Sequence, residues 1–129
     1  MVVIDAFSSD FVPIHLIGVE AMRTWFDKVE PGGLVMFHIS NRSFDFIPVL
    51  ARIGTELGLP TAAKDSTRST DDELSRGIFH STWFALARDD AALEPLRRDL
   101  GWKTPKLSDA QAKRPVWTDD YVNLFHALR

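Results

Sequence analysis

Cysteine is absent from the 129 residues. That excludes disulfides, thiolate metal sites and a cysteine nucleophile, and it is compatible with a reducing compartment. A basic excess is also missing: 15 Lys and Arg stand against 18 Asp and Glu, for a formal net charge of −3. With a pI of about 5.7, the chain has no surplus cation to neutralise a phosphate backbone, so nucleic acid is not an expected partner. No apolar run approaches the ~20 residues that span a bilayer. Asp5 and Asp10 interrupt any signal-peptide reading of the amino terminus. A cytoplasmic protein with no membrane partner in this chain is therefore expected. The four histidines are scattered, without the close spacing of a zinc site, and no metal is expected. Internal repeats and low-complexity tracts are missing too.

What is present is a hydrophobic content of 45%, enough for one small domain with a real core. Val2-Val3-Ile4-Asp5 is a short β-branched run ending in a carboxylate. It leads through Ala6 to Asp10 into a helical pattern over 16–29, where Val19, Met22, Phe26 and Val29 recur at spacings of three and four. Pro31-Gly32-Gly33 stops that helix, and Leu34 to Ile39 reads as a strand buried on both faces. Ser43 or Asp45 caps a second helix, with Phe46, Val49, Leu50, Ile53 and Leu57 as its apolar stripe and Gly58-Leu59-Pro60 as its stop.

Thr61 to Lys64 is a weaker strand, and the polar stretch from Asp65 to Arg76 reads as an exposed loop or flap. Ser81 to Ala87 forms a fourth strand, and Asp90 to Leu100 a surface helix carrying Leu93, Leu96 and Leu100. From Trp102 onward the chain is irregular until about Tyr121. This order is that of the second half of a doubly wound sheet, so the expected fold is α/β with mostly parallel strands and flanking helices. Gly54, Gly58 and Gly77 read as ordinary turn or packing glycines.

Four stretches carry a likeness to a known family: Val3 to Asp10 with Pro13 and His15; Pro31-Gly32-Gly33; His38-Ile39-Ser40-Asn41-Arg42; and Trp117-Thr118-Asp119-Asp120-Tyr121. In these the chain resembles the spermidine synthase-like family, the polyamine aminopropyltransferases, which use the Rossmann-like class I methyltransferase fold. The resemblance covers nearly the whole chain but only the carboxyl half of the family's domain. It implies that residues 1–129 are a single partial Rossmann-like transferase domain. The family's amino-terminal βαβ units supply a glycine-rich loop and an acid for the nucleoside ribose. No glycine-rich strand–turn–helix element exists here, since Gly32 and Gly33 follow a helix and precede a strand. Half of the nucleoside site is thus expected to lie outside this polypeptide.

The implied reaction is attack by an amine on a carbon beside a positive sulfur, in decarboxylated S-adenosylmethionine or S-adenosylmethionine. Alkylammonium groups titrate near ~10, so the site needs a carboxylate to take a proton and further acids to hold a distal ammonium. By the resemblance, Asp5 is the proton-accepting aspartate and Asp10 the second acid of its loop, with Asp5, Ala6 and Phe7 facing the nucleoside substrate. His15, Asn41, Asp119, Asp120 and Tyr121 are the expected contacts to a small cationic amine such as putrescine.

Each residue has a plainer reading. Asp5 would cap nearby amides, His15 would be a surface or packing residue, and Asn41 would satisfy its own turn. His38, inside an apolar strand, would be a neutral core imidazole bonded to a backbone group. Asp119 and Asp120 would sit at a helix amino terminus capped by Thr118 or Asp119. Three functions follow as alternatives: an aminopropyltransferase half, a related S-adenosylmethionine-dependent methyltransferase, or a non-catalytic half domain that is truncated or homodimerises through the open edge of its first strand.

Overall fold

The computed structural model of the chain describes residues 1–5, 13–66, 70–77 and 80–129. Strand β1 spans Val2–Ile4 and, after a 3₁₀ turn at Ile14–Leu16, helix α1 spans Val19–Asp27. The expected start near Leu16 falls in that 3₁₀ turn and not in the α-helix, because Gly18 is fully extended and sets the first α-helical turn at Val19. Val19, Met22 and Phe26 are the buried face of α1, as the three–four spacing required. Its carboxyl end is closed by a distant cation: Arg88 donates to the carbonyls of both Phe26 and Val29, with its guanidinium carbon 5.3 Å from the Phe26 ring centre. Gly32 then turns with φ +80°, and a Cβ on Gly33 would lie 2.4 Å from Val29 Cγ1. The tight entry to the next strand therefore excludes any larger residue at position 33.

Strand β2 is Leu34–His38, helix α2 is Ile47–Leu57 and strand β3 is Thr61–Asp65. The N-cap of α2 is Phe46, with no side-chain cap bond, and not the expected Ser43 or Asp45; Asp45 lies one residue before it and accepts the Ile47 N–H at 3.0 Å. Gly58 ends the helix in the left-handed region, at φ 65°. The polar stretch expected as loop contains a short helix, α3 (Asp71–Ser75), before strand β4 at Thr82–Ala87. A 3₁₀ turn at Asp90–Leu93 runs into α4, Glu94–Leu100. In the tail, α5 (Asp109–Ala112) is held by a capping box between Ser108 and Gln111. A last 3₁₀ turn covers Leu124–Ala127.

The sheet order is β1-β2-β4-β3. Here the expectation of a mostly parallel, Rossmann-like sheet is overturned. Only β1 and β2 pair in parallel, whereas β4 runs antiparallel to both β2 and β3. The helical crossover through α2 carries β3 past one vacant position in the sheet, and β4 returns to fill it. Near-continuous apolar runs report burial and not strand direction, so β4 could not be told from a parallel strand by its residues.

Side chains alternate across the sheet as a period of two demands. Val35, Phe37, Phe84 and Leu86 join Met22, Phe26, Leu50 and Ile53 in one core under α1 and α2. The opposite face holds a smaller cluster of Ala62, Ala85, Ala87, Leu93 and Trp102. Leu34 and Met36 are only partly buried there, so β2 is fully covered on one face and partly on the other. Each large side chain of the main core contributes about 1.5–3 kcal/mol through burial.

Candidate functional site

The parallel register pairs Ile4 with Phe37, which brings the next residues, Asp5 and His38, side by side at the carboxyl ends of β1 and β2. Asp5 Oδ1 lies 2.8 Å from His38 Nδ1. The other imidazole nitrogen, Nε2, lies 2.8 Å from Ser40 Oγ. Ser40 Oγ in turn accepts the Thr82 backbone N–H at 2.9 Å. His38 and Ser40 fall on one side of the chain because they are two residues apart in extended backbone. The imidazole also stacks on Trp83 of β4, its cross-strand partner, with ring centres 4.6 Å apart and planes at 25°.

The hydrogen bonds assign the protons. A carboxylate only accepts, so His38 Nδ1 carries its hydrogen toward Asp5. With Nδ1 protonated in the neutral ring, Nε2 offers a lone pair and the Ser40 hydroxyl donates to it. Asp5 ends this chain with a side chain 60% exposed, against 21% for His38. The result is a carboxylate fixed by an imidazole, open to solvent and able to take a proton from a bound molecule or to hold a cation. This differs from the expectation for His38: its partners are side chains and its ring is partly exposed.

The other expected residues are placed as follows. His15 is exposed on the 3₁₀ turn after Pro13. Asn41 Oδ1 accepts the N–H groups of Ser43 at 2.9 Å and Phe44 at 3.0 Å, which is the local turn role. Asp119 and Asp120 are exposed at the tip of a tight turn closed by paired bonds between Thr118 and Tyr121; that turn starts no helix. Glu20 of α1 accepts the Asp119 N–H at 3.0 Å. Ala6, Phe7 and Asp10 lie outside the described residues. The structure thus joins Asp5 to His38 and Ser40, and it places Asn41 just beyond them on the same strand exit.

Ser40 and Trp83 were missed by sequence reasoning. The one available signal was register: an acid at the end of one strand, with His-x-Ser at the end of the strand expected to pair with it. The glycine turn at Gly32-Gly33 lies at the amino end of β2, the opposite end from Asp5, so those glycines do not fit a nucleoside beside that carboxylate. Among the described residues, no group of three His, Asp or Glu residues is placed to hold a metal. Nor is any helix there long and apolar enough to cross a membrane. Comparison of the chain with protein-family models, curated proteins and solved structures finds no match.

Proposed function

We propose that this chain supplies the amine side of an alkyl-transfer site of the spermidine synthase-like type, acting on a small diamine such as putrescine. The observation that carries the reading is the solvent-open Asp5 carboxylate, held 2.8 Å from the His38 imidazole at the carboxyl ends of the parallel strand pair, where α/β sheets commonly present their ligands. In the reaction class concerned, the amine nitrogen attacks a carbon next to a sulfonium sulfur and the carbon–sulfur bond breaks. The proton released by that nitrogen goes to a nearby carboxylate. Asp5 is that acceptor in this reading, and its bond to His38 sets the orientation of the carboxylate. The glycine-rich element that holds the nucleoside in that family has no counterpart in this sequence, so the reading concerns the amine side alone.

A putrescine titration followed by NMR tests the reading. Putrescine should shift the His38 ring resonances saturably, whereas uncharged 1,4-butanediol should not. Asp5→Asn should weaken putrescine binding about tenfold or more, the size of one charge-assisted hydrogen bond. Equal responses to diamine and diol would sink the proposal. With a nucleoside-binding segment supplied, transfer from decarboxylated S-adenosylmethionine should give an aminopropylated product by mass spectrometry. A methylated product from S-adenosylmethionine would redirect the reading to methyl transfer.

A further inference from the structure

The side chains at the strand exits support a second chemistry, one that uses no amine. From the serine end, they form a hydroxyl backed by an imidazole that is backed in turn by a carboxylate. Ser40 Oγ lies 2.8 Å from His38 Nε2, and His38 Nδ1 lies 2.8 Å from Asp5 Oδ1. Both distances fall in the range of about 2.6–3.2 Å over which a nucleophile, its base and the group orienting that base cooperate. Each neighbour of the imidazole takes a different ring nitrogen. The hydrogen on Nδ1 points to Asp5, so the lone pair of Nε2 faces the hydroxyl and can accept its proton.

Ser40 itself is suited to attack. A hydroxyl oxygen has two lone pairs. One accepts the Thr82 N–H at 2.9 Å, and among the described residues the other has no donor. The Thr82 amide favours negative charge on that oxygen as its proton leaves. Ser40 is half-buried and not enclosed, and Asp5 beside it is exposed.

His38 is equally prepared for the charge it would gain. Trp83 stacks on the ring with centres 4.6 Å apart, which fixes its plane and places an aromatic face against the imidazolium. The Asp5 carboxylate stabilises the same cation from the other side. Because His38 and Ser40 are two residues apart on one strand exit, their approach is set by backbone geometry and not by a mobile loop.

We propose that Ser40 is a nucleophile for acyl transfer from carboxylic esters, with His38 as its general base and Asp5 as the residue that positions His38. The Ser40 oxygen bonds to the carbonyl carbon, its proton passes to His38 Nε2, and the bond to the leaving oxygen breaks. The departing oxygen recovers that proton from the imidazolium or leaves as a stable aryloxide. Water then gives a proton to Nε2 and attacks the acyl carbon, and the Ser40 oxygen leaves and is reprotonated. An aryl ester asks least of the site, because its leaving group carries the departing charge well. This activity needs no diamine, so its loss and the loss of putrescine binding are separate outcomes.

Labelling of the intact chain with diisopropyl fluorophosphate, mapped by peptide mass spectrometry, tests the assignment. In that reaction the Ser40 oxygen bonds to phosphorus, fluoride departs and His38 takes the proton. Ser40 should label at least a hundredfold faster than Ser43 and Ser108 in the same chain, which requires no serine variant to fold. His38→Gln should remove that advantage. Asp5→Asn should slow labelling at least tenfold and move the ring hydrogen of His38 off Nδ1, seen by ¹⁵N NMR; Asp5→Glu should recover part of the rate. The unaltered chain should also release nitrophenolate from 4-nitrophenyl acetate faster than the His38→Gln chain. Equal labelling of the three serines, an unchanged rate in His38→Gln, or no difference in ester hydrolysis would overturn the assignment.

Discussion

Ser40 meets two demands with one hydroxyl: its oxygen accepts the Thr82 N–H while its hydrogen serves His38 Nε2. Thr82 is almost wholly buried, so its amide has no ready water to replace that acceptor. Ser40→Ala should therefore destabilise the chain by about 1–3 kcal/mol, the cost of a buried donor left unmet, measured by urea denaturation. A loss below about 0.3 kcal/mol would mean that water takes over the bond. Gly54 gives a second residue-scale test, because Gly to Ala inside a helix ordinarily stabilises by about 1 kcal/mol. Here the added methyl would lie 2.5 Å from Thr61 Cγ2 and 3.2 Å from the Leu59 carbonyl. Gly54→Ala should thus destabilise by about 1–3 kcal/mol, and a raised melting temperature would contradict the packing. At this scale the sequence was partly legible. Asp5 stood out as a carboxylate at a strand end, but Ser40 could not be read as its remote neighbour. Its hydrogen-bond donor lies 42 positions further along, on a strand whose place in the sheet no local pattern reveals.

Elements were legible where periodicity controls them. Met22 and Phe26 marked the buried face of α1, and Leu50 and Ile53 that of α2, because a helix packing on a sheet must repeat its apolar residues at three and four. The direction of β4 was not legible, since Phe84 and Leu86 alternate with Ala85 and Ala87 in the same way in a parallel or an antiparallel strand. Arg88 shows how an element can depend on a residue that its own sequence does not contain. It follows β4 directly, yet it closes the carboxyl end of α1 by binding the carbonyls of Phe26 and Val29. These carbonyls lie at the negative end of the helix dipole, where a cation is favoured, and the Phe26 carbonyl accepts from Arg88 in addition to the Val29 N–H. Arg88→Met keeps much of the stem packing and removes the donors, so it should cost about 1.5–3 kcal/mol. Hydrogen exchange should speed up most at the last turn of α1. Uniform acceleration across the whole chain would show that Arg88 supports the core and not this helix end.

The molecule as a whole treats its two sheet edges differently. The outer edge of β3 is occupied: Ala63 exchanges two backbone hydrogen bonds with Lys103, at 2.8 and 2.9 Å, and Arg97 donates to the Thr61 carbonyl at 3.1 Å. The outer edge of β1 has no such cover among the described residues, and Val3 is 48% exposed. A short, apolar, uncharged edge strand is a template for pairing with another strand. Two copies joined there would extend the mixed sheet across a two-fold axis, with each β1 antiparallel to the other. Sedimentation velocity should therefore show a dimer fraction that rises with concentration. Val3→Lys places a charge on that strand and should shift the equilibrium toward monomer at least tenfold, while the Asp5–His38 bond stays intact by NMR. A monomer at every concentration for the unaltered chain would mean that three residues of edge are too few to hold a second copy.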